Sequence, residues 1–197
     1  MSRPREFDTE VALTQIMETF WSQGFLATSL EDLTQATGVA KASLYGAFGD
    51  KQAMFLAALD AYAAETSKPF QEILTRDDSP RLILNDFFEE ILAQCHGEEA
   101  EKGCFFVNSS VERAARDQKV VKLIQHHTEG LESAFDEVLK RGVRLGEFKK
   151  GLKTQEVARF LVSSLIGLHV TGIIYQDKIR PKQVIQVILS VLSAGED

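Results

Sequence analysis

Residues 28–55 read TSLEDLTQATGVAKASLYGAFGDKQAMF, and the rest of the chain is best read outward from them. Thr28 and Glu31 predict a capping box, with the hydroxyl offered to the third amide and the carboxylate reaching back. Leu30, Leu33 and Ala36 follow at helical spacing and are expected to face inward. Gly38 supplies a tight turn, where a left-handed backbone costs glycine least. Val39, Leu44 and Phe48 pack a second short helix onto the first. This leaves Lys41, Ala42, Ser43 and Tyr45 for its outer face. Asp50 caps a further helix through Phe55, Leu59 and Tyr62, with Lys51 in its first turn. Two short helices, a glycine turn and a helix behind them make a helix-turn-helix.

Upstream, Leu13, Ile16, Met17, Phe20 and Trp21 form one apolar helical face, predicting a helix from about Thr9 to Gln23. Thr9 or Asp8 caps it, Gly24 ends it, and Arg3 and Arg5 precede it as a short basic arm. Downstream, Pro69 and the segment around Pro80 punctuate the chain. Helices are predicted at about 81–95, 104–116, 119–144 and 154–175, with a final one from Pro181 to near Leu192. No period-two strand pattern stands out. The fold class is therefore all-α: a helix-turn-helix domain over 1–48 and a larger helical bundle over 49–197.

Composition sets limits. With 197 residues, 44% hydrophobic and 26% charged, the chain has the make-up of an ordinary globular protein. The N-terminus MSRPREFDTE has no apolar signal core, and two cysteines make no disulfide framework, so the reducing cytoplasm is expected. The stretch Phe160–Tyr175 holds His169 and several hydroxyls in 16 residues, too short and polar for a membrane span. There is no phosphate loop, no Ser/His/Asp constellation and no inward pair of carboxylates, so neither an enzyme nor a cofactor is expected. His96 beside Cys95, and the pair His126 and His127, match no standard zinc spacing. The net charge of −7 sits awkwardly with nucleic-acid binding, and residues 1–51 alone carry −3. Their few cations must face DNA while the acids point away.

The combination of Gly24-Phe25, Thr28-Ser29, Gly38-Val39, Leu44-Tyr45, Phe48 and Lys51 resembles the N-terminal signature of TetR-type bacterial transcriptional regulators. The resemblance implies that Thr28 and Ser29 touch phosphate, Lys41, Ala42 and Ser43 approach base edges, and Tyr45 and Lys51 grip the backbone. Elementary chemistry agrees. A helix N-terminus is an anion site, an ammonium pairs with phosphate, and the major groove admits one helix. Two positions depart from the pattern: Ala40, where the family often has serine, and Ala47, where a polar residue is common.

The resemblance further implies a homodimer on double-stranded operator DNA, joined through the last two helices and released by a small-molecule inducer. Ser163, Gly167 and Thr171 are small residues one turn apart, and Val184, Ile188 and Leu192 give the final helix an apolar stripe. The alternative is that these faces bury within one subunit. Phe87, Phe88, Ile91, Phe105, Phe106, Asn108, Phe135, Leu161 and His169 are the pocket candidates, with plain core packing as the other reading. Cys104 opens a helical run after an acidic turn, where the helix dipole can acidify a thiol. The Gly103-Cys104 pair is similar to one in electrophile-sensing members of the NemR type; a small buried hydrophobe is the alternative. A helical small-molecule- or protein-binding dimer with a vestigial DNA motif is the competing function.

Overall fold

The computed structural model describes residues 7–94, 100–175 and 179–192. Among these, every regular element is helical: α1 Thr9–Gln23, α2 Leu30–Thr37, α3 Lys41–Phe48, α4 Lys51–Leu74, α5 Pro80–Gln94, α6 Phe105–Arg113, α7 Gln118–Leu145, α8 Thr154–Ile174 and α9 Ile179–Ser190. The basic arm with Arg3 and Arg5, and the neighbours Cys95 and His96, lie outside the described residues.

The chain forms two compact units, Met1–Thr66 with Asn108–Ile124, and Ser67–Val107 with Gln125–Asp197. The division expected after residue 48 is therefore displaced. The first turns of α4 belong with α1, because Phe55 meets the Phe20 ring at 5.1 Å and Tyr62 meets Trp21 at 5.1 Å. The end of α6 and the start of α7, distant in sequence, complete this unit.

In the first unit, Asp8 caps α1 by accepting from the amides of Glu10 and Val11 at 2.9 and 3.2 Å. Ala12, Ile16, Met17 and Phe20 are its buried side. Gly24 closes the helix at φ 79°, its N–H donating to the Phe20 carbonyl.

In the second unit one apolar core gathers Leu74, Ile83, Leu84, Phe87, Phe88, Ile91, Phe135, Val138, Leu139, Phe148, Leu161, Leu165 and Ile188, among others. Pro69 lies inside α4 instead of ending it. A proline removes one helix hydrogen bond. Here the helix continues because the next turn is anchored: Leu74 is buried in the core, with Phe70 and Ile73 packed against it.

By length and composition α8 could cross a membrane. In this fold it is two-sided, burying Ala158, Leu161, Val162, Leu165, Leu168 and Gly172 and exposing Phe160, Ile166, Val170, Ile173 and Ile174.

Candidate nucleic-acid interface

The capping box of α2 sits one residue later than the sequence reading. The Ser29 hydroxyl accepts from the Asp32 amide at 3.1 Å, and the Asp32 carboxylate accepts from the Ser29 amide at 2.6 Å. Thr28 is only 1% exposed, and its hydroxyl donates to the Gly24 carbonyl at 2.6 Å. The Thr28 hydroxyl is thus turned inward and away from any phosphate, whereas Ser29 is exposed at the helix start. Ala36 is exposed, so Leu33 alone is the buried anchor of α2.

The turn is as expected. Gly38 adopts φ 64° and ψ 10°, and Thr37 braces it by donating to the Leu33 carbonyl and accepting from the Val39 amide. α3 then buries Leu44 and exposes Lys41, Ala42, Ser43 and Tyr45. The Lys41 ammonium lies 5.9 Å from the centre of the Tyr45 ring, so the two flank one patch of surface. Ala40 occupies the N-cap of α3 and offers no side-chain hydrogen bond there. The Ser43 and Leu44 amides donate to its carbonyl at 2.9 and 3.1 Å, and the positive end of the helix dipole there favours an anion.

The acidity of this unit has a structural explanation. Asp8 caps α1, Asp32 closes the box on α2, and Asp50 caps α4 by accepting from the Ala53 amide at 2.8 Å. Asp117 caps α7 through the amides of Lys119 and Val120. These carboxylates complement helix N-termini. The Ser29 hydroxyl and amide hold the Asp32 carboxyl below its ordinary value.

Lys51 is half-buried with its ammonium 4.4 Å from the centre of the Phe25 ring. Burial lowers its pKa; Glu112 opposes that and Arg113 adds to it. Glu112 and Arg113 were not legible as part of this region. The Glu112 carboxylate accepts from the amides of Phe25 and Leu26 at 2.8 and 2.7 Å, across more than eighty residues of chain. Arg113 lies 4.2 Å from the same Phe25 ring and pairs with Asp117 at 3.0 Å. Asp117 also accepts from Gln52 at 2.8 Å. Only an unexplained pair of charges at the end of α6 marks them in the sequence.

The pocket candidates divide. Phe87, Phe88, Ile91, Phe135 and Leu161 are buried together in the core. Phe87 meets Phe135 at 4.8 Å and Phe88 at 5.5 Å, ring to ring. Phe105 is buried outside that cluster, and Asn108 belongs to the first unit, so it does not join the set. His169 has Nδ1 3.0 Å from the Leu165 carbonyl, and burial lowers its pKa against that bond. Cys104 is a half-buried thiol one residue before α6, after Gly103 at φ 65°. His127 rests against Phe106 at 5.2 Å, and no group of three metal-binding side chains occurs among the described residues.

Of the pairing candidates, Ser163, Gly167, Thr171 and Val184 are exposed. Ile188 is a correction: it is 2% exposed and packs into its own subunit's core. The apolar stripe on α9 is wide enough to serve two sides, and the outward one is carried by Val184 and Val187.

Two family models match the chain. "Bacterial regulatory proteins, tetR family" covers residues 12–58, and "Tetracyclin repressor-like, C-terminal domain" covers residues 80–188. The HTH-type transcriptional regulator YezE of Bacillus subtilis (strain 168) is 31% identical over 98% of this chain and 100% of its own. The HTH-type transcriptional repressor ComR of Escherichia coli (strain K12) is 27% identical over 86% of this chain and 81% of its own. A cysteine mutant of the TetR family regulator CifR, solved with 26 bp double-strand operator DNA, superposes with a TM-score of 0.86. It is 27% identical, covering 97% of this chain and 100% of that one.

Proposed function

The chain belongs to the TetR family and is a DNA-binding transcriptional regulator; we propose that it acts as a cytoplasmic repressor, binding a palindromic operator as a homodimer and leaving it when a small molecule binds. One observation carries the reading: α3 buries Leu44 and turns Lys41, Ala42, Ser43 and Tyr45 to solvent behind a capped α2 and a left-handed Gly38. This is a recognition helix ready for a major groove. Ser29 and Lys51 supply phosphate contacts, which fix register. The side chains of α3 supply base contacts, which specify sequence. With few polar groups on α3, apolar contact and DNA shape carry much of the readout.

A single such unit makes few contacts. Pairing through α8 and α9 places two recognition helices on successive major grooves, roughly 34–36 Å apart. The exposed apolar residues of these helices, Phe160, Ile166, Val170, Ile173, Val184 and Val187, support that role. An inducer that favours a spacing unsuited to DNA then shifts the population off the operator.

The test is a binding titration on the DNA upstream of the gene and its neighbours, across salt concentrations. Specific binding that weakens steeply with salt is expected. A Lys41→Ala, Tyr45→Ala double variant should lose it. Unchanged binding by that variant would sink the recognition-helix assignment.

A further inference from the structure

The turn between α1 and α2 is held from outside itself. Glu112 Oε2 accepts from the Phe25 amide at 2.8 Å, and Oε1 accepts from the Leu26 amide at 2.7 Å. This bidentate grip takes up two adjacent backbone donors, and Gly24 makes room for it. A Cβ there would come within 3.1 Å of the carboxylate, and φ 79° is a backbone that other residues rarely adopt. Phe25 itself lies between α1 and α4, 6.1 Å from Phe20 and 5.0 Å from Phe55. Two cations attend its ring, Lys51 from the first turn of α4 and Arg113 from the last turn of α6. Arg113 is tied to Asp117, and Asp117 to Gln52. The start of α4, the end of α6 and the cap of α7 thus meet at one six-residue turn. That turn ends at Ser29, the cap of α2.

We propose that Glu112 is a positioning residue for DNA binding: its carboxylate sets the α1–α2 turn, and with it Ser29 and Lys51, in the arrangement that phosphates meet. The inference rests on the operator-binding reading and names a residue outside the helix-turn-helix on which that binding depends. Glu112 itself touches no phosphate in this role. A negative charge near DNA opposes binding by simple electrostatics. Its removal should therefore strengthen binding if charge alone matters, and weaken it if position does.

The experiment compares the full-length wild type with Glu112→Gln, which keeps the size and presents only one acceptor to two donors. The operator affinity of E112Q is expected to fall about tenfold, the worth of one charge-assisted hydrogen bond, with the salt slope unchanged. Hydrogen exchange over residues 24–29 should accelerate in the free protein. In the wild type, the amides of Phe25 and Leu26 should exchange slowly, as donors held by the Glu112 carboxylate; this arm needs neither DNA nor a variant, and remains if E112Q does not fold. Equal or tighter binding by E112Q, a changed salt slope, or fast exchange at the Phe25 and Leu26 amides of the wild type would each overturn the proposal. A wild type that fails to bind any upstream DNA would overturn the operator reading and the positioning role with it. Wild-type binding with an unaffected E112Q overturns the positioning role alone.

Discussion

Lys51 holds its ammonium against the ring of Phe25, 4.4 Å from the centroid. A cation in the first turn of a helix is opposed by the helix dipole, and partial burial further disfavours its charge. The ring face and the nearby Glu112 offset these costs. A lysine kept at such a position has work for its charge. Lys51→Ala is expected to lower the slope of log affinity against log salt by about 1.8 for a dimer, two phosphates at 0.9 each. Affinity lost at constant slope would reduce Lys51 to a brace for Phe25.

Ala40 leaves the start of α3 without a side-chain cap. Ala40→Ser should supply one, stabilising the fold by about 1 kcal/mol and raising the melting temperature by about 2–4 °C. The same hydroxyl would stand at the anion-binding end of the recognition helix, so operator affinity should rise with it. Calorimetry and a binding titration check the two effects separately.

Val187 on α9 is 65% exposed. Val187→Lys alters no buried contact within the subunit, so the melting curve of the monomer should be intact. Across a dimer it sets two ammonium groups in an apolar seam. Sedimentation should show a monomer, and operator affinity should fall about 100-fold as the second half-site ceases to be linked to the first. A dimer unaffected by the charge would place the seam elsewhere.

Acid should unfold the protein in two stages. The folded imidazole of His169 has a lowered pKa, chiefly through burial. Below about pH 6.5 the unfolded chain takes up that proton first, so stability falls as pH drops from there toward the folded value. Burial raises the Asp117 carboxyl, but the Arg113 guanidinium and the amides of Val120 and Lys119 more than offset it and hold the carboxyl low. Its contribution is full above about pH 3.9 and is lost as pH falls through the lower folded value. Melting temperature against pH should show both declines. His169→Leu should remove the first and leave the second.

What the sequence disclosed was local. Asp8, Gly24, Gly38 and Asp50 each act within four residues of themselves, and caps and turns of that kind are legible from side-chain chemistry alone. The register of the α2 box was not. Thr28-Glu31 and Ser29-Asp32 satisfy the same pattern, and only the burial of Thr28 decides between them. Periodicity found the apolar stripe of α9 but not its division into inner Ile188 and outer Val184, since a wide stripe fits two partners as well as one. Pro69 misled because tertiary packing overrode a local cost. Glu112 was invisible, its partners lying dozens of residues away, and so was the bond from Gln52 to Asp117.

α3 buries one side chain, Leu44. Its outward positions therefore owe almost nothing to folding, and substitutions there are judged by DNA alone. A lineage carrying this scaffold could exchange Lys41, Ala42, Ser43 or Tyr45 one at a time, passing through intermediates that are all stable, and so acquire a new target while its pairing surface stands still.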